Sequence, residues 1–446
     1  MGTLLRDLRF GARSLLRAPG FAAVAVLSLA LGIGANTTIF SVVDALLLRP
    51  LAYPAPAGLL AFRQNQSPPD LRDAGAQSRA LSKVAGYGSY PLDLAGRGEP
   101  EELPGALVSG PLFEALGVRP AEGRWLAPED DRGFAVVLSH GLRRRLFGDT
   151  PALGASLSLS GKAFTVVGVM PPGFRLPEGE SQLWVPLESG YPEASEARGA
   201  HFLTGVARLA PEATLPRAQR ELDGIAQRLA AAYPAQDRDL SLPLVPLQER
   251  VTREYRSTLL LLFGAVALLL LVACANFGGL LLARGAASQH ELAVRAALGA
   301  SRARIVQQLV AQSALLALAG GAAAVLLASW CLPALLALVP SPAFAGIALD
   351  RRVLCFALAA SLATGILVGL LSAAQASRVD LHAALQAASP SHAGRTRLRS
   401  TLVVIEIALA VVLLTGAGLV LRGVWQLGEV RLGLDPAQVL TLRVDL

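Results

Sequence analysis

The stretch RGAASQHELAVRAALGASRAR, residues 284–304, is a short polar island between two long apolar segments. STLLLLFGAVALLLLVACANFGGLLLA precedes it at 257–283, and IVQQLVAQSALLALAGGAAAVLLASWCLPALLALV follows it at 305–339. A helix of about 20 apolar residues crosses the hydrocarbon core of a bilayer. Because each flanking segment is at least that long, the sequence predicts that the island is a hairpin loop on one membrane face.

The island has the residue pattern of a short, capped helix. Ser288 and Glu291 have the spacing of a capping box, and Glu291 and Arg295 have the i,i+4 spacing of a surface ion pair. Gly299 suits the position after a helix end, and Ser301 can cap the helix that follows. The pattern indicates either a surface that a water-soluble partner grips or a plain interfacial loop helix. The residues expected to form the gripped surface are Ser288, Glu291, Leu292, Val294, Arg295, Leu298, Gly299 and Ser301.

The composition indicates several membrane spans and one water-soluble domain. The chain has 446 residues, 53% of them hydrophobic, and a mean hydropathy of +0.49, which is too apolar for an ordinary soluble protein. Residues 51–257 carry 22 Lys and Arg against 24 Asp and Glu, whereas the remainder carries 18 against 9. The excess positive charge therefore belongs to the membrane part, where it reports topology. No nucleic-acid partner is needed to explain it.

The predicted organisation has about five spans. Residues 1–20 are expected to form an amphipathic helix on the cytoplasmic membrane face, because four Arg recur on one side of it. The apolar run after it is too long for the h-region of a signal peptide, so it is read as an uncleaved span. The predicted segments are span 1 (21–48), an extracytoplasmic domain (51–257), span 2 (258–283), the island (284–304), span 3 (305–339), span 4 (353–376), a linker (377–400), span 5 (401–421) and the start of a second extracytoplasmic domain (422–446).

The distribution of arginine predicts the orientation. The segments 1–20, 284–304 and 377–400 carry four Arg each. Since cytoplasmic loops are enriched in Lys and Arg, these three segments are expected in the cytoplasm. The large domain is then outside the cytoplasm.

Three polar residues lie inside predicted spans. Asn36 belongs to a run, Asn36-Thr37-Thr38, that can hydrogen-bond across helices, and it follows small residues that allow close helix contact. Asp44 lies near the outer end of the first span, and Glu406 lies early in the fifth. Intramembrane carboxylates can mark substrate or proton sites. Packing, ion pairing and interfacial anchoring are the favoured interpretation here.

The 51–257 segment reads as an α+β domain. Residues 156–169 alternate like a hairpin with Gly161-Lys162 at the turn, and residues 213–233 repeat apolar positions at helical spacing. His140 and His201 have no partner at ligand spacing, and the acidic runs 101–102 and 129–131 read as solvated loops. The three Cys all lie in apolar spans. The sequence thus predicts no catalytic residue, metal site or cofactor.

Several stretches of the sequence resemble one protein family, both in their residues and in the order in which they occur. LRDLRFGARSLLRAPGF and LALGIGANTTIFSVVDALLLRPLAYPAP open the chain, FTVVGVMPPGF lies in the soluble domain, and HELAVRAALGASRARIVQQLVAQSALLALAGG covers the island. They resemble the MacB/FtsX-type permeases of ABC transporters, most closely the duplicated orphan permeases. Gln312 departs from the acidic residue usual in that family. Residues 395–446 look like the start of a second unit, so a chain cut short in that unit is expected.

The resemblance implies a multi-pass α-helical membrane protein with an extracytoplasmic α+β domain of the MacB periplasmic-core type and an FtsX-like permease domain at 258–385. It implies a permease without its own ATPase, in agreement with the absence of a GxxxxGK[ST] motif.

The implied partners are a separate cytoplasmic ABC ATPase docked on the island and a second permease half or a second copy, in the lipid bilayer of a bacterial cytoplasmic membrane. The implied function is ATP-driven motion of the outside domain, with export of a hydrophobic or peptide-like compound. Two alternatives stay open: transmission of motion to a partner such as a cell-wall hydrolase, and an inactive partial permease.

Overall fold

The computed structural model describes residues 18–96, 99–109, 111–131, 133–287, 301–338, 347–376 and 393–428. The chain forms two compact units. We call Leu47–Ser257 the sheet unit, and Met1–Leu46 together with Thr258–Leu446 the helical unit.

Helices and strands follow one another along the described residues. The helices are α1 (Pro19–Val43), α2 (Pro68–Gln77), α3 (Leu112–Leu116), α4 (His140–Phe147), α5 (Leu187–Gly190), α6 (Pro192–Ser195), α7 (Leu215–Ala232), α8 (Leu247–Ala287), α9 (Arg302–Leu338), α10 (Arg351–Ala376) and α11 (Ala393–Gly428). The strands are β1 (Leu59–Phe62), β2 (Leu81–Ser89), β3 (Leu92–Ala95), β4 (Glu101–Leu103), β5 (Gly105–Ser109), β6 (Glu122–Gly123), β7 (Ala135–Leu138), β8 (Ser156–Leu159), β9 (Lys162–Val169), β10 (Leu183–Pro186), β11 (Thr204–Leu209) and β12 (Leu244–Pro246).

The sheet unit is built on a mixed sheet. Over the described residues its strand order is β12-β1-β11-β2-β5-β10-β7-β9-β8-β3-β4, and β6 pairs with β9. The pairs β5–β10 and β7–β9 are parallel, and the other pairs are antiparallel. A mixed sheet with helices against it is the α+β architecture that the sequence predicts.

Both faces of the sheet are covered. Side chains alternate along a strand, and in β1 Leu60 and Phe62 join one apolar core while Leu59 and Ala61 join the other. The first core also takes in α7, whose buried residues are Ala218, Leu222, Ile225, Ala226 and Leu229. The helical periodicity of residues 213–233 therefore predicted this helix and its buried face correctly.

Two local expectations for the sheet unit need correction. The hairpin β8–β9 turns at Ser160-Gly161, one residue earlier than predicted, because both residues have positive φ (45° and 77°) as a tight hairpin turn requires. Residues 101–102 lie in β4 rather than in a solvated loop, and Glu101 pairs with Arg145 at 3.0 Å.

The acidic run 129–131 is also not simply solvated. The side chain of Asp130 is 11% exposed and accepts two hydrogen bonds from Arg124, at 2.5 and 2.9 Å. The Arg124 hydrogen bond lowers the pKa of Asp130. Sequence reasoning interpreted both acidic runs as solvated loops from their local composition, which does not show what packs against them.

The helical unit contains the membrane spans. Among the described residues, four helices are long and apolar enough to cross a bilayer: Pro19–Leu48, Tyr255–Gly285, Ala303–Leu338 and Arg351–Ala374. A shorter apolar stretch, Val403–Leu419, lies within α11. This is the multi-pass helical architecture with a large α+β domain that the sequence predicts.

Helix α11 extends beyond the predicted fifth span at both ends. Residues 393–400, assigned to the linker, already belong to α11, and residues 422–428 continue the same helix. The helix is longer than the apolar run because Arg and polar residues are compatible with helical structure where they flank a span. The rest of the proposed second domain, 429–446, lies outside the described residues, as do 1–17 and 377–392.

Candidate functional site

Most of the predicted gripping surface lies outside the described residues. This applies to Ser288, Glu291, Leu292, Val294, Arg295, Leu298 and Gly299. Ser301 is described and begins α9: its Oγ accepts from Arg304 N at 3.4 Å, and its carbonyl accepts from Ile305 N at 3.3 Å. Ser301 therefore caps the following helix, as the sequence predicts. Its part in docking an ATPase stays a prediction.

Glycines bring α9 into close contact with α1. A Cβ added at Gly320 of α9 would lie 2.7 Å from Leu29 Cβ in α1. On the other side of the same interface, a Cβ added at Gly34 would lie 3.3 Å from the carbonyl oxygen of Ala324. Small residues allow membrane helices to approach this closely, so the two helices pack with no room for a larger side chain.

A second glycine-lined contact joins α9 to α10. A Cβ at Gly365 would lie 2.8 Å from Ala317 Cβ and 3.0 Å from Ala314 Cα, and a Cβ at Gly369 would lie 3.1 Å from Val310 Cα. Helix α9 is thus held between α1 and α10 along much of its length. Because close-packed interiors have low compressibility, a displacement of α9 must move its neighbours as well.

Asn36 joins α1 to α8. Its Nδ2 donates to the carbonyl of Gly32 at 2.9 Å and, across the helix interface, to the carbonyl of Val266 at 2.5 Å. The expectation that the neighbouring threonines also bond across helices is wrong. Thr37 and Thr38 donate to Ile33 O and Gly34 O, four residues back in their own helix, an arrangement that mid-helix Ser and Thr hydroxyls often adopt.

Asp44 lies where α1 ends. It is buried and begins a π-helical turn, Asp44–Leu48, a feature that is frequent at functional sites. Its Oδ1 is 3.8 Å from Nη1 of Arg352, at the start of α10. Phe40, one turn earlier, stacks on Phe356 with ring centroids 4.0 Å apart. The C-terminal end of α1 is therefore joined to α10 by one ion pair and one aromatic stack.

The three predicted intramembrane residues do not form one site. Asn36 bonds to α8, Asp44 pairs with α10, and Glu406 is half-buried on α11. Sequence reasoning missed Arg352 as the partner of Asp44. A signal was available, because alternation of the predicted spans places residues 340–352, between spans 3 and 4, on the same membrane face as the end of span 1.

An ionic cluster in the sheet unit was also missed. Arg198 contacts three carboxylates: Asp70 at 2.7 Å, Asp237 at 3.5 Å, and Asp73 by a short hydrogen bond. His201 lies beside them, with Nε2 3.7 Å from Asp70 Oδ2. The interpretation of His201 as an isolated histidine is therefore wrong. No spacing rule could have found the cluster, because its members come from three distant segments.

Two family descriptions match successive parts of the chain. Residues 22–225 match the MacB-like periplasmic core domain, and residues 263–381 match the FtsX-like permease C-terminal domain.

Curated relatives agree with these matches. The pyoverdine export ATP-binding/permease protein PvdT of Pseudomonas syringae pv. tomato is 27% identical over 272 residues, which is 59% of this chain and 40% of the relative. The macrolide export ATP-binding/permease protein MacB of Chromobacterium violaceum is 27% identical over 278 residues, 61% of this chain and 42% of the relative. The chain thus spans about two-fifths of the length of these relatives.

The periplasmic region of MacB from Actinobacillus actinomycetemcomitans has a TM-score of 0.35 and 13% identity, covering 44% of this chain and 92% of that one. The extracellular domain of the noncanonic ABC-type transporter YknZ from Gram-positive bacteria has a TM-score of 0.31 and 14% identity, covering 40% of this chain and 95% of that one. The spanning helices and the two matched domains together indicate a bacterial inner-membrane protein. With both domains in this order on one polypeptide, the chain belongs to the MacB/FtsX-type permeases of ABC transporters.

Proposed function

We propose that the chain is the permease subunit of an ABC exporter, and that it passes ATP-driven motion from a separate cytoplasmic ATPase to its extracytoplasmic domain. The observation that carries this proposal is the glycine-lined packing of α9 against both α1 and α10. Helix α9 begins at Arg302, within the last residues of the island, and α1 leads along the chain into the sheet unit. The family assignment supports the ATPase partner.

The motion follows from the packing. An ATPase that grips residues 288–301 would displace the capped start of α9. Packed helices respond to such a push by sliding as bodies rather than by deforming. The helices on either side of α9 approach it without free space at Gly34, Gly320, Gly365 and Gly369. Helices α1 and α10 therefore move with α9. The Asp44–Arg352 pair then joins the outer ends of these two helices.

Orientation, substrate and assembly complete the proposal. The N-terminus and the segments 284–304 and 377–400 are cytoplasmic, and the 51–257 domain is extracytoplasmic. The exported compound is hydrophobic or peptide-like, which the names of the pyoverdine and macrolide exporters support. A second permease half, or a second copy of the chain, completes the transporter.

The experiment co-expresses the full chain with a candidate ABC ATPase and measures co-purification in each nucleotide state. Glu291→Arg or Leu292→Asp should abolish co-purification while the melting temperature is unchanged. Glu193→Arg is the matched charge reversal, because Glu193 is exposed on the sheet unit, and it should leave co-purification intact. Failure of the unmodified chain to bind an ATPase in any nucleotide state would contradict the proposal.

A second function is compatible with the same packing. The contacts of α9 with α1 and α10 transmit displacement whether or not a compound is moved. The chain could then drive an extracytoplasmic partner such as a cell-wall hydrolase. Proteoliposomes that contain the permease and its ATPase distinguish the two functions. ATP-dependent movement of a lipophilic or peptide probe supports export, whereas ATP turnover that moves no probe but stimulates a hydrolase supports transmission. An assembled complex with neither response indicates an inactive partial permease.

A further inference from the structure

Three segments of the sheet unit bring metal-ligating side chains together. Asp70 lies in the first turn of α2, where Ser67 caps the helix. His201 lies between α6 and β11, and Asp237 follows the end of α7. One ligand atom from each of the three side chains lies within 4.8 Å of the others. The two carboxylate side chains are fully buried, and the imidazole is 38% exposed.

The charges of this cluster are not balanced by its own cation. Arg198 is stacked on the ring of Tyr233, 3.8 Å from its centroid, and it contacts the carboxylates of Asp70, Asp73 and Asp237. With His201 neutral, three ionised carboxylates against one guanidinium leave a net negative charge. Because buried charges are costly unless they are paired or coordinate a metal, the cluster favours a further cation.

In its neutral form, His201 places a lone pair in the cluster. Its Nδ1 is 3.3 Å from the carbonyl oxygen of Gly199. Since a carbonyl oxygen only accepts, Nδ1 carries the hydrogen and Nε2 faces Asp70 Oδ2 at 3.7 Å. A backbone carbonyl that holds Nδ1–H in this way is the usual support of a histidine whose Nε2 binds a metal.

The separation of these two atoms suits an ion between them. At 3.7 Å they are too far apart for a direct hydrogen bond. If both atoms bind one ion at about 2.0–2.2 Å, the N–ion–O angle is about 125°. That angle lies within the range of a four- or five-coordinate site.

Asp237 provides a second observation that points to a cation and does not depend on the net charge of the cluster. Its Oδ1 is buried and has no hydrogen-bond donor among the described residues, while Oδ2 is 3.5 Å from Arg198. A buried carboxylate oxygen without a donor loses its hydration and gains nothing in return. A cation bound at Oδ1 removes this deficit.

We propose that Asp70, His201 and Asp237 bind one divalent first-row transition metal ion of the Zn²⁺ class. An imidazole with two carboxylates suits such ions better than Ca²⁺ or Mg²⁺, which take oxygen ligands. Arg198 contacts Asp70 Oδ1 and Asp237 Oδ2, and Ser67 Oγ donates to Asp70 Oδ2 at 2.6 Å. The ion therefore uses Asp237 Oδ1 and the remaining lone pair of Asp70 Oδ2. The exposed edge of His201 provides the entry path and room for a water ligand. The ion ties the start of α2 to the end of α7.

The experiment uses the full chain in detergent, stripped with EDTA and dialysed against ZnCl2. Metal is counted by mass spectrometry, and affinity is measured by calorimetry. His201→Ala and Asp237→Asn should each bind one Zn²⁺ fewer than the unmodified chain. Loss of even an outer-shell partner weakens metal binding about 10- to 100-fold, so loss of a ligand should weaken it at least about tenfold. His140→Ala, in the same unit, should bind as the unmodified chain does.

Equal Zn²⁺ content in the unmodified chain, His201→Ala and Asp237→Asn would overturn the proposal. Melting curves in EDTA check folding, and Asp237→Asn keeps the shape of the side chain. A Zn²⁺-induced rise in melting temperature that both variants lose supports the site. If Zn²⁺ stabilises no form and Asp237→Asn melts above the unmodified chain in EDTA, the cation is a proton shared by the two carboxyl groups, and the metal proposal fails.

Discussion

Replacing Gly365 by alanine tests whether α9 is packed tightly enough to carry motion. The new Cβ would lie 2.8 Å from Ala317 Cβ, 3.0 Å from Ala314 Cα and 3.2 Å from the carbonyl oxygen of Ser313. Two of these three atoms belong to the backbone, so a change of rotamer relieves neither. Carbon atoms pack best at about 3.5–4.0 Å. Helices α9 and α10 must therefore separate by about 1 Å.

Such overpacking costs about 1–3 kcal/mol. Alanine also gains about 1 kcal/mol over glycine in a helix interior, which partly masks the cost. Gly279→Ala is the matched control, because Gly279 lies in apolar helix α8 and a Cβ there meets nothing within 4 Å. The propensity gain is common to both variants, so Gly365→Ala should be about 1–3 kcal/mol less stable than Gly279→Ala.

The assay is unfolding of the purified full chain in mixed micelles with rising SDS, followed by the loss of helical circular dichroism. Ala317→Gly, combined with Gly365→Ala, removes the 2.8 Å contact and should restore part of the stability. Equal midpoints for Gly365→Ala and Gly279→Ala would refute the reasoning. In the complex with an ATPase, Gly365→Ala should also reduce the motion that α9 passes to α10, because the separated helices are no longer in close contact.

Three further predictions follow from single contacts. Asn36→Ala removes the hydrogen bond to the Val266 carbonyl and should lower the stability of the helical unit by about 0.6–1.7 kcal/mol in the same SDS titration. Thr38→Val loses only a hydrogen bond within its own helix and should cost less stability. A larger loss for Thr38→Val than for Asn36→Ala would contradict the role of Asn36 in joining α1 to α8. Arg198→Ala leaves Asp70 and Asp237 buried without their guanidinium and should destabilise the sheet unit by about 3–5 kcal/mol in urea unfolding, whereas the exposed Arg220→Ala should change it little. Burial, followed by the nearby Glu188 and Asp130, raises the pKa of Asp131 from 3.8 to about 6; its contribution to stability is therefore full below pH 3.8 and is lost as the pH rises through about 6. Asp131→Asn should flatten the stability of the sheet unit across that interval, and an unchanged pH profile would show that the raised pKa is wrong.

Local patterns in the sequence predicted what depends on neighbouring residues. The periodicity of 213–233 identified α7 and its buried face, and Ser301 was recognised as a cap because a cap acts within one turn of its helix. The turn of the β8–β9 hairpin was misplaced by one residue, since Gly161 could occupy either central position until the strand register was known. The expectation that Thr37 and Thr38 bond across helices is wrong, because composition does not show which way a hydroxyl points.

The sequence by itself determined that this is a multi-pass membrane protein with a large α+β domain, and it identified the family. The physical reason is that partition between bilayer and water depends on runs of about 20 apolar residues, which can be read without knowing any contact. Only the tertiary structure decided that α9 packs through glycines on both sides, that Asp44 meets Arg352, and that Asp70, His201 and Asp237 converge. These distances join residues far apart in the chain, and they are set by helix crossings and strand register, which no local pattern records.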